Sequence, residues 1–165
     1  MDANALLAEI AGIGRNQSGG YTRLAWDGAT MTLREWFAAT ATGLGLEVSE
    51  DGNGNQLARW GQGSDALLLG SHLDSVPDGG PLDGPLGVAS ALAAVARLRA
   101  QGWQPSRPLV VANFSDEEGA RFGVACLGSR LATGAIAPET ALALRDAAGD
   151  TLAEVMATRG RDPRA

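Results

Sequence analysis

Lysine is absent: all 13 basic side chains in the 165 residues are arginine. A phosphate-cradling Gly-Lys-Ser/Thr loop and a Schiff-base lysine are therefore both excluded. The single cysteine, Cys126, can form no internal disulfide, and the single histidine, His72, confines imidazole chemistry to one place. Aromatic residues make up 5% of the chain and the formal net charge is −6. With no basic stripe interleaved with aromatics, neither a nucleic acid nor an anionic membrane surface is an expected partner. No segment approaches the roughly 18 consecutive apolar residues of a membrane span. The opening Met1-Asp2-Ala3-Asn4 lacks the positive region of a secretory leader, so a cytoplasmic location is expected.

What is present suits one ordinary domain, since a chain of this length buries roughly 68–70% of its unfolded surface without staples. Glycine is abundant, with 23 residues and no repeat period, which points to turns and close backbone approaches. Leu6, Leu7, Ile10 and Ile13 fall at helical spacing in a short leading helix over residues 4–13. Thr32-Leu33-Arg34-Glu35 has the pattern of a capping box and predicts a second helix from there to Gly43. Residues 46–49 and 56–60 read as strands joined by the tight Asp51-Gly52-Asn53-Gly54-Asn55 reversal. Ala66-Leu67-Leu68-Leu69 is a continuous apolar run, the mark of a strand covered on both faces. A long loop then leads to Pro85, an Ala-rich helix covers residues 86–98, and residues 108–114 form a second apolar strand. This strand, helix, strand order is a parallel crossover unit. Three further helices follow at 125–133, 137–145 and 152–159. The expected fold class is α/β, with a mixed, partly parallel sheet flanked by helices.

Ligands of an open parallel sheet bind beyond the carboxyl ends of its strands. Behind the first apolar run stands Gly70-Ser71-His72-Leu73-Asp74-Ser75-Val76-Pro77-Asp78-Gly79-Gly80-Pro81-Leu82-Asp83-Gly84. Behind the second stands Ser115-Asp116-Glu117-Glu118-Gly119-Ala120-Arg121-Phe122. If the two strands are neighbours, about 4.8 Å apart, the histidine and the densest carboxylate cluster emerge side by side. An imidazole among carboxylates suits a divalent cation, Zn²⁺ or Mn²⁺. His72 can offer one ring nitrogen to a metal, with Asp74 the nearest candidate to orient the other. Asp83, in a Gly-flanked loop, could bridge two cations. Glu117 and Glu118, if extended, point in different directions, so one can ligate while the other serves as general base.

These two motifs, in this order and each behind a strand, resemble the hydantoinase/carbamoylase branch of the dinuclear-metal aminoacylase and carboxypeptidase superfamily. Gly20-Tyr21-Thr22-Arg23-Leu24 and the Asp51–Asn55 turn extend the likeness over nearly the whole chain. The resemblance implies that His72, Asp83 and Glu118 are metal ligands, with Asp83 bridging, that Glu117 is the general base and that Asp74 supports His72. It implies two divalent ions (Zn, Mn, Co or Ni), a cis Asp83–Gly84 peptide and a homodimer in the complete family. It further implies hydrolysis of a linear amide, such as an N-carbamoyl-L-amino acid or the ureido acid allantoate, as the small-molecule substrate. The family's downstream His-x-Glu-Gln-Gly segment, its last histidine and its inserted dimerisation or lid domain have no counterpart here. Residues 1–165 are thus expected to be the N-terminal part of a catalytic domain, with fewer or weaker cations and little or no activity alone.

Other readings stay open at this level. His72 alone could be a structural hydrogen bonder, and Glu117-Glu118 a solvated helix start. Cys126 reads as a small buried hydrophobe or as a nucleophile paired with His72. Arg23 and Arg121 could bind a substrate carboxylate, but bracing of the site loops is the expectation. Trp26, Trp36, Trp60 and Trp103 suit core or rim packing. The alternative activities are an aminoacylase or dipeptidase, and a non-catalytic metal-binding or subunit-interaction module.

Overall fold

A computed structural model describes residues 1–163. Helix α1 (Ala3–Glu9) starts where the Asp2 carboxylate accepts from the Ala5 N–H at 2.9 Å. Strand β1 (Tyr21–Arg23) follows, then helix α2 (Gly28–Gly43). The start of α2 corrects the sequence reading. Its cap is Asp27, which accepts from Thr30 N at 2.7 Å, while Thr32 lies inside the helix with its hydroxyl on the Gly28 carbonyl. An aspartate one turn earlier satisfies the free N–H groups, and the Thr-x-x-Glu pattern is left to ordinary helical positions.

The expected hairpin forms from β2 (Glu47–Glu50) and β3 (Gln56–Trp60), antiparallel, with Glu50 opposite Gln56. Strand β4 (Leu67–His72) then enters the sheet, and β5 (Ser75–Gly79) pairs antiparallel with β1 in a separate two-stranded ribbon. That ribbon replaces the long loop read from the sequence. Its Pro77 and polar composition hide a strand whose partner lies some fifty residues earlier. Helix α3 (Pro85–Ala100) crosses to β6 (Leu109–Phe114), and the described residues close with α4 (Leu127–Ala132), α5 (Pro138–Leu142) and α6 (Leu152–Thr158).

The main sheet runs β2-β3-β6-β4, antiparallel except for β4 and β6, which are parallel with Leu67 opposite Leu109 and His72 opposite Phe114. One core joins Leu6 of α1 and its capping residue Ile10, Leu33 and Phe37 of α2, and Val88, Leu92 and Val95 of α3 to Ala58, Trp60, Leu109 and Val111 of the sheet. A second gathers Trp26, Phe122 and Leu127 with Leu152, Val155 and Met156 of α6. The expectation that both apolar strands are covered holds for β6 but fails for β4. The latter is an edge strand among the described residues, and its Leu67 and Leu68 are 43% and 48% exposed. No helix of the described residues is long and apolar enough to cross a membrane.

Candidate metal centre

The parallel pairing of β4 and β6 delivers the two motifs to one end of the sheet. His72, the last residue of β4, is buried, and its Nδ1 lies 3.0 Å from the Asp74 carbonyl oxygen and 3.5 Å from Asp74 Oδ1. The main-chain carbonyl is thus the closer partner of the ring, whereas the sequence reading gave that part to the Asp74 carboxylate. That carboxylate reaches across to the other motif: Oδ1 accepts from Glu117 N at 3.2 Å and Oδ2 from Glu118 N at 3.1 Å. One buried side chain therefore ties the histidine loop to the acidic loop, and charge-assisted bonds of this kind are about twice as strong as neutral ones.

The third segment arrives at the start of α3. Gly84 adopts φ +84°, and a Cβ there would stand 2.5 Å from His72 Cε1, so only glycine lets the Asp83 backbone pass so close to the imidazole. The Asp83–Gly84 peptide is trans, as are all peptide bonds among the described residues, against the cis geometry the resemblance suggested. The turn instead uses the positive φ of Gly84. One ligand atom each of His72, Asp83 and Glu118 lies within 4.8 Å of the others. Glu117 stands beside them, with Oε2 3.3 Å from His72 Nε2.

The residues just before this cluster are not extended. Asp116 takes φ +50°, and the two following N–H groups converge on Asp74. The placing of Glu117 and Glu118 thus comes from a turn pinned at its amides rather than from strand alternation. Its outer side is buttressed by Asn55, whose Oδ1 accepts from Ser115 N at 3.0 Å and whose Nδ2 donates to Asp51 Oδ2 at 2.8 Å and to Gly128 O at 3.0 Å. The sequence showed the Asp51–Asn55 reversal but not this second role.

The electrostatics are those of a site in need of positive charge. Among the described residues no arginine pairs with Asp83, Glu117 or Glu118. Glu118 lies above the ordinary carboxyl range: partial burial raises it and His72 opposes, but Asp83, Asp74 and Glu117 add to the rise. Burial alone would lower His72, yet the hydrogen bond and charge of Asp74, with Glu117, hold it at about 9. Asp116 is a residue the sequence reading quoted but gave no role. Burial, then the charge of Asp74, lifts its carboxyl to about 7, and neither oxygen has a hydrogen-bond partner among the described residues.

The remaining sequence candidates fall outside the cluster or at its border. Arg121 braces, with Nε and NH2 on Asp146 Oδ2 at 3.0 and 2.9 Å and NH1 on the Ala25 carbonyl. Arg23 is buried and donates to the carbonyls of Ile13 and Ile10. Cys126 is neither a core hydrophobe nor paired with His72. It caps α4 at φ +58°, half-buried, and its thiol donates to Glu117 Oε1 at 3.3 Å. Trp26 lies in the second core, and Trp60 meets Trp103 edge to face, with ring centroids 5.7 Å apart.

The donor set, one imidazole nitrogen and carboxylates brought close without an arginine counter-ion, fits a hard or borderline divalent cation. An α/β layer that gathers such groups at the carboxyl ends of adjacent parallel strands has the form of a metallohydrolase catalytic layer. The comparisons with known proteins agree and narrow it. Residues 55–156 match the profile of peptidase family M28, and the chain belongs to that family of metal-dependent hydrolases. It is 42% identical over 160 residues to an N-carbamoyl-L-amino acid amidohydrolase of Geobacillus stearothermophilus, covering 95% of this chain and 39% of the relative. A ureidoglycolate hydrolase of rice is 39% identical, covering 76% and 27%. The crystal structure of a hydantoinase/carbamoylase family amidase from Burkholderia ambifaria superposes with a TM-score of 0.91 at 39% identity, covering 98% of this chain and 41% of that one. The chain thus spans about two fifths of the length of the first of these relatives and of the solved structure.

Proposed function

We propose that this chain supplies the cation-binding half of the active site of an amidohydrolase acting on a linear amide, an N-carbamoyl-L-amino acid or a related ureido acid. The observation that carries the reading is the convergence of His72, Asp83 and Glu118 within 4.8 Å of one another, with Glu117 at their side. The names of the relatives supply the substrate class. His72, Asp83 and Glu118 would hold the cation. A cation so held polarises an amide carbonyl and makes water a better acid. Glu117 is the general base: it takes a proton from the attacking water and, as the C–N bond breaks, gives it to the departing nitrogen. Asp74 keeps the imidazole and the two glutamate amides in register, so the base and the ligands keep their places when a cation binds.

Because the relatives are far longer, residues 1–165 act as part of a catalytic domain, and turnover requires the groups carried by the remainder of such a protein. Calorimetric titration of the metal-stripped chain with Mn²⁺ or Zn²⁺, alongside an assay of ammonia release from N-carbamoyl amino acids, tests both statements. The reading expects saturable binding that His72→Ala, Asp83→Ala and Glu118→Ala each weaken. Equal binding by all three variants overturns it. In a protein with turnover, Glu117→Gln lowers kcat by about 10²–10⁴-fold and leaves cation affinity nearly unchanged; parallel loss of both contradicts the base assignment.

A further inference from the structure

Glu117 projects from a turn, and its side chain is 35% exposed. Free carboxylates of that kind sample several rotamers, since nothing offsets the entropy of holding one. Here each oxygen has its own partner: Oε2 faces His72 Nε2 and Oε1 accepts from the Cys126 thiol, both at 3.3 Å. The cysteine comes from nine positions further along and is fixed there by main-chain bonds. Cys126 N donates to Glu117 O, Leu127 N to Asp116 O and Gly128 N to Ser115 O, so three successive amides close on three successive carbonyls of the acidic turn. The intervening loop is tight. Gly119 has φ +65°, and a Cβ there would stand 2.4 Å from the Val124 carbonyl carbon. Cys126 itself is held at φ +58°. Its sulfur cannot leave Glu117 by a movement of the backbone unless this loop opens.

We propose that Cys126 is a positioning residue for Glu117: its S–H holds Oε1 so that Oε2 stays turned toward the His72 side of the cluster. The importance of this hold for catalysis rests on the reading of Glu117 as the base, but the hold itself exists without cation or turnover. A thiol is a weak donor, which suits a partner that must gain and lose a proton. The same contact acts on the thiol, since the Glu117 hydrogen bond, then burial, raises the Cys126 ionisation above its ordinary value.

Cys126 is the only cysteine in the chain, so thiol probes report on it alone. In the metal-stripped chain, alkylation by iodoacetamide near neutral pH is expected to be slow and to quicken by about threefold or more in Glu117→Gln, as the thiolate forms more readily. Equal rates would overturn the contact. The positioning role is read by side-chain ¹³C relaxation of Glu117. Cys126→Ala is expected to release Glu117 into rotamer averaging while the other amide shifts of the acidic turn stay in place, and Cys126→Ser, which keeps a donor, is expected to restore one rotamer. Should the alanine variant lose the fold, the serine variant and the alkylation rates still decide. A Glu117 that stays in one rotamer in Cys126→Ala, or averages in both variants, refutes the proposal. None of these readouts requires a bound cation, so a chain that binds no metal would undo the proposed function and leave this inference standing.

Discussion

Strands β4 and β6 read alike in the sequence, as short apolar runs followed by polar, glycine-rich loops, and they lie side by side in parallel. In the folded chain they are opposites. β6 is buried from Leu109 to Asn113, paired with β3 on one side and β4 on the other. Among the described residues β4 has a partner on one side only, and its first two leucines are exposed. Each nevertheless carries half of the cluster. The difference teaches that a central strand provides the platform, and that the edge strand is anchored to it at the site end, where burial and polar ties coincide. His72 is buried where β4 ends; Leu67 and Leu68, where it begins, are not.

If that is correct, the tie that matters most is Asp74, and Asp74→Ala should have the largest effect. The substitution strips the Glu117 and Glu118 amides of their acceptor and leaves His72 Nδ1 with the residue-74 carbonyl alone. Loss of a group that orients metal ligands typically costs 10–100-fold in affinity; a fall of about that size in Mn²⁺ or Zn²⁺ binding is expected, with a stability loss of about 2 kcal/mol from the two orphaned, part-buried donors. An unchanged titration would show that β4 needs no such tie.

The second effect is electrostatic and concerns the same end of the sheet. Both strongly shifted groups, Asp116 near 7 and His72 near 9, lie above their unfolded values. A group whose pKa rises on folding contributes stability that is full below its unfolded pKa and lost as pH rises through the folded one. The metal-stripped chain should therefore lose stability from about pH 4 to 7 through Asp116, and from about pH 6.5 to 9 through His72, the latter by no more than about 3 kcal/mol. Cation binding reverses the trend, because the imidazole must be neutral to ligate. Melting curves with and without Mn²⁺ between pH 5 and 9 should draw apart as pH rises. Curves that run parallel over that interval would contradict the assignment of His72 to the cation.

How much of this could be read in advance follows from the range of each interaction. The hairpin, the crossover unit and the meeting of the two motifs were legible, because turn chemistry and apolar runs are local signals. The β1–β5 ribbon was not, since Ser75–Gly79 is polar, contains Pro77 and acquires its strand character only from Tyr21–Arg23. His72, Asp83, Glu117 and Glu118 were visible as residue types in order. The parts played by Asn55 and Cys126 were not, because each acts on a segment that the main chain brings to it, and composition carries no trace of that closure. The exposure of β4 was equally hidden: an apolar run states that burial would be favourable, and says nothing of whether a neighbour exists to provide it.

The smallest expected effect sharpens the comparison most directly, because it sets a shortened side chain at each of two depths. Val111 is 1% exposed in the centre of β6, packed within the main core between α3 and the sheet. Truncation to alanine there removes two buried methyl groups and leaves a cavity, at a cost of about 1–3 kcal/mol. Leu68 is 48% exposed on β4, so Leu68→Thr forfeits little burial and introduces the β-branching that suits a strand; a change within about 0.5 kcal/mol is expected. Denaturant titrations of the two variants measure the gap. Were Leu68→Thr to cost as much as Val111→Ala, β4 would be covered in solution by a surface that the described residues do not include, and the contrast between edge and centre would hold only for the isolated chain.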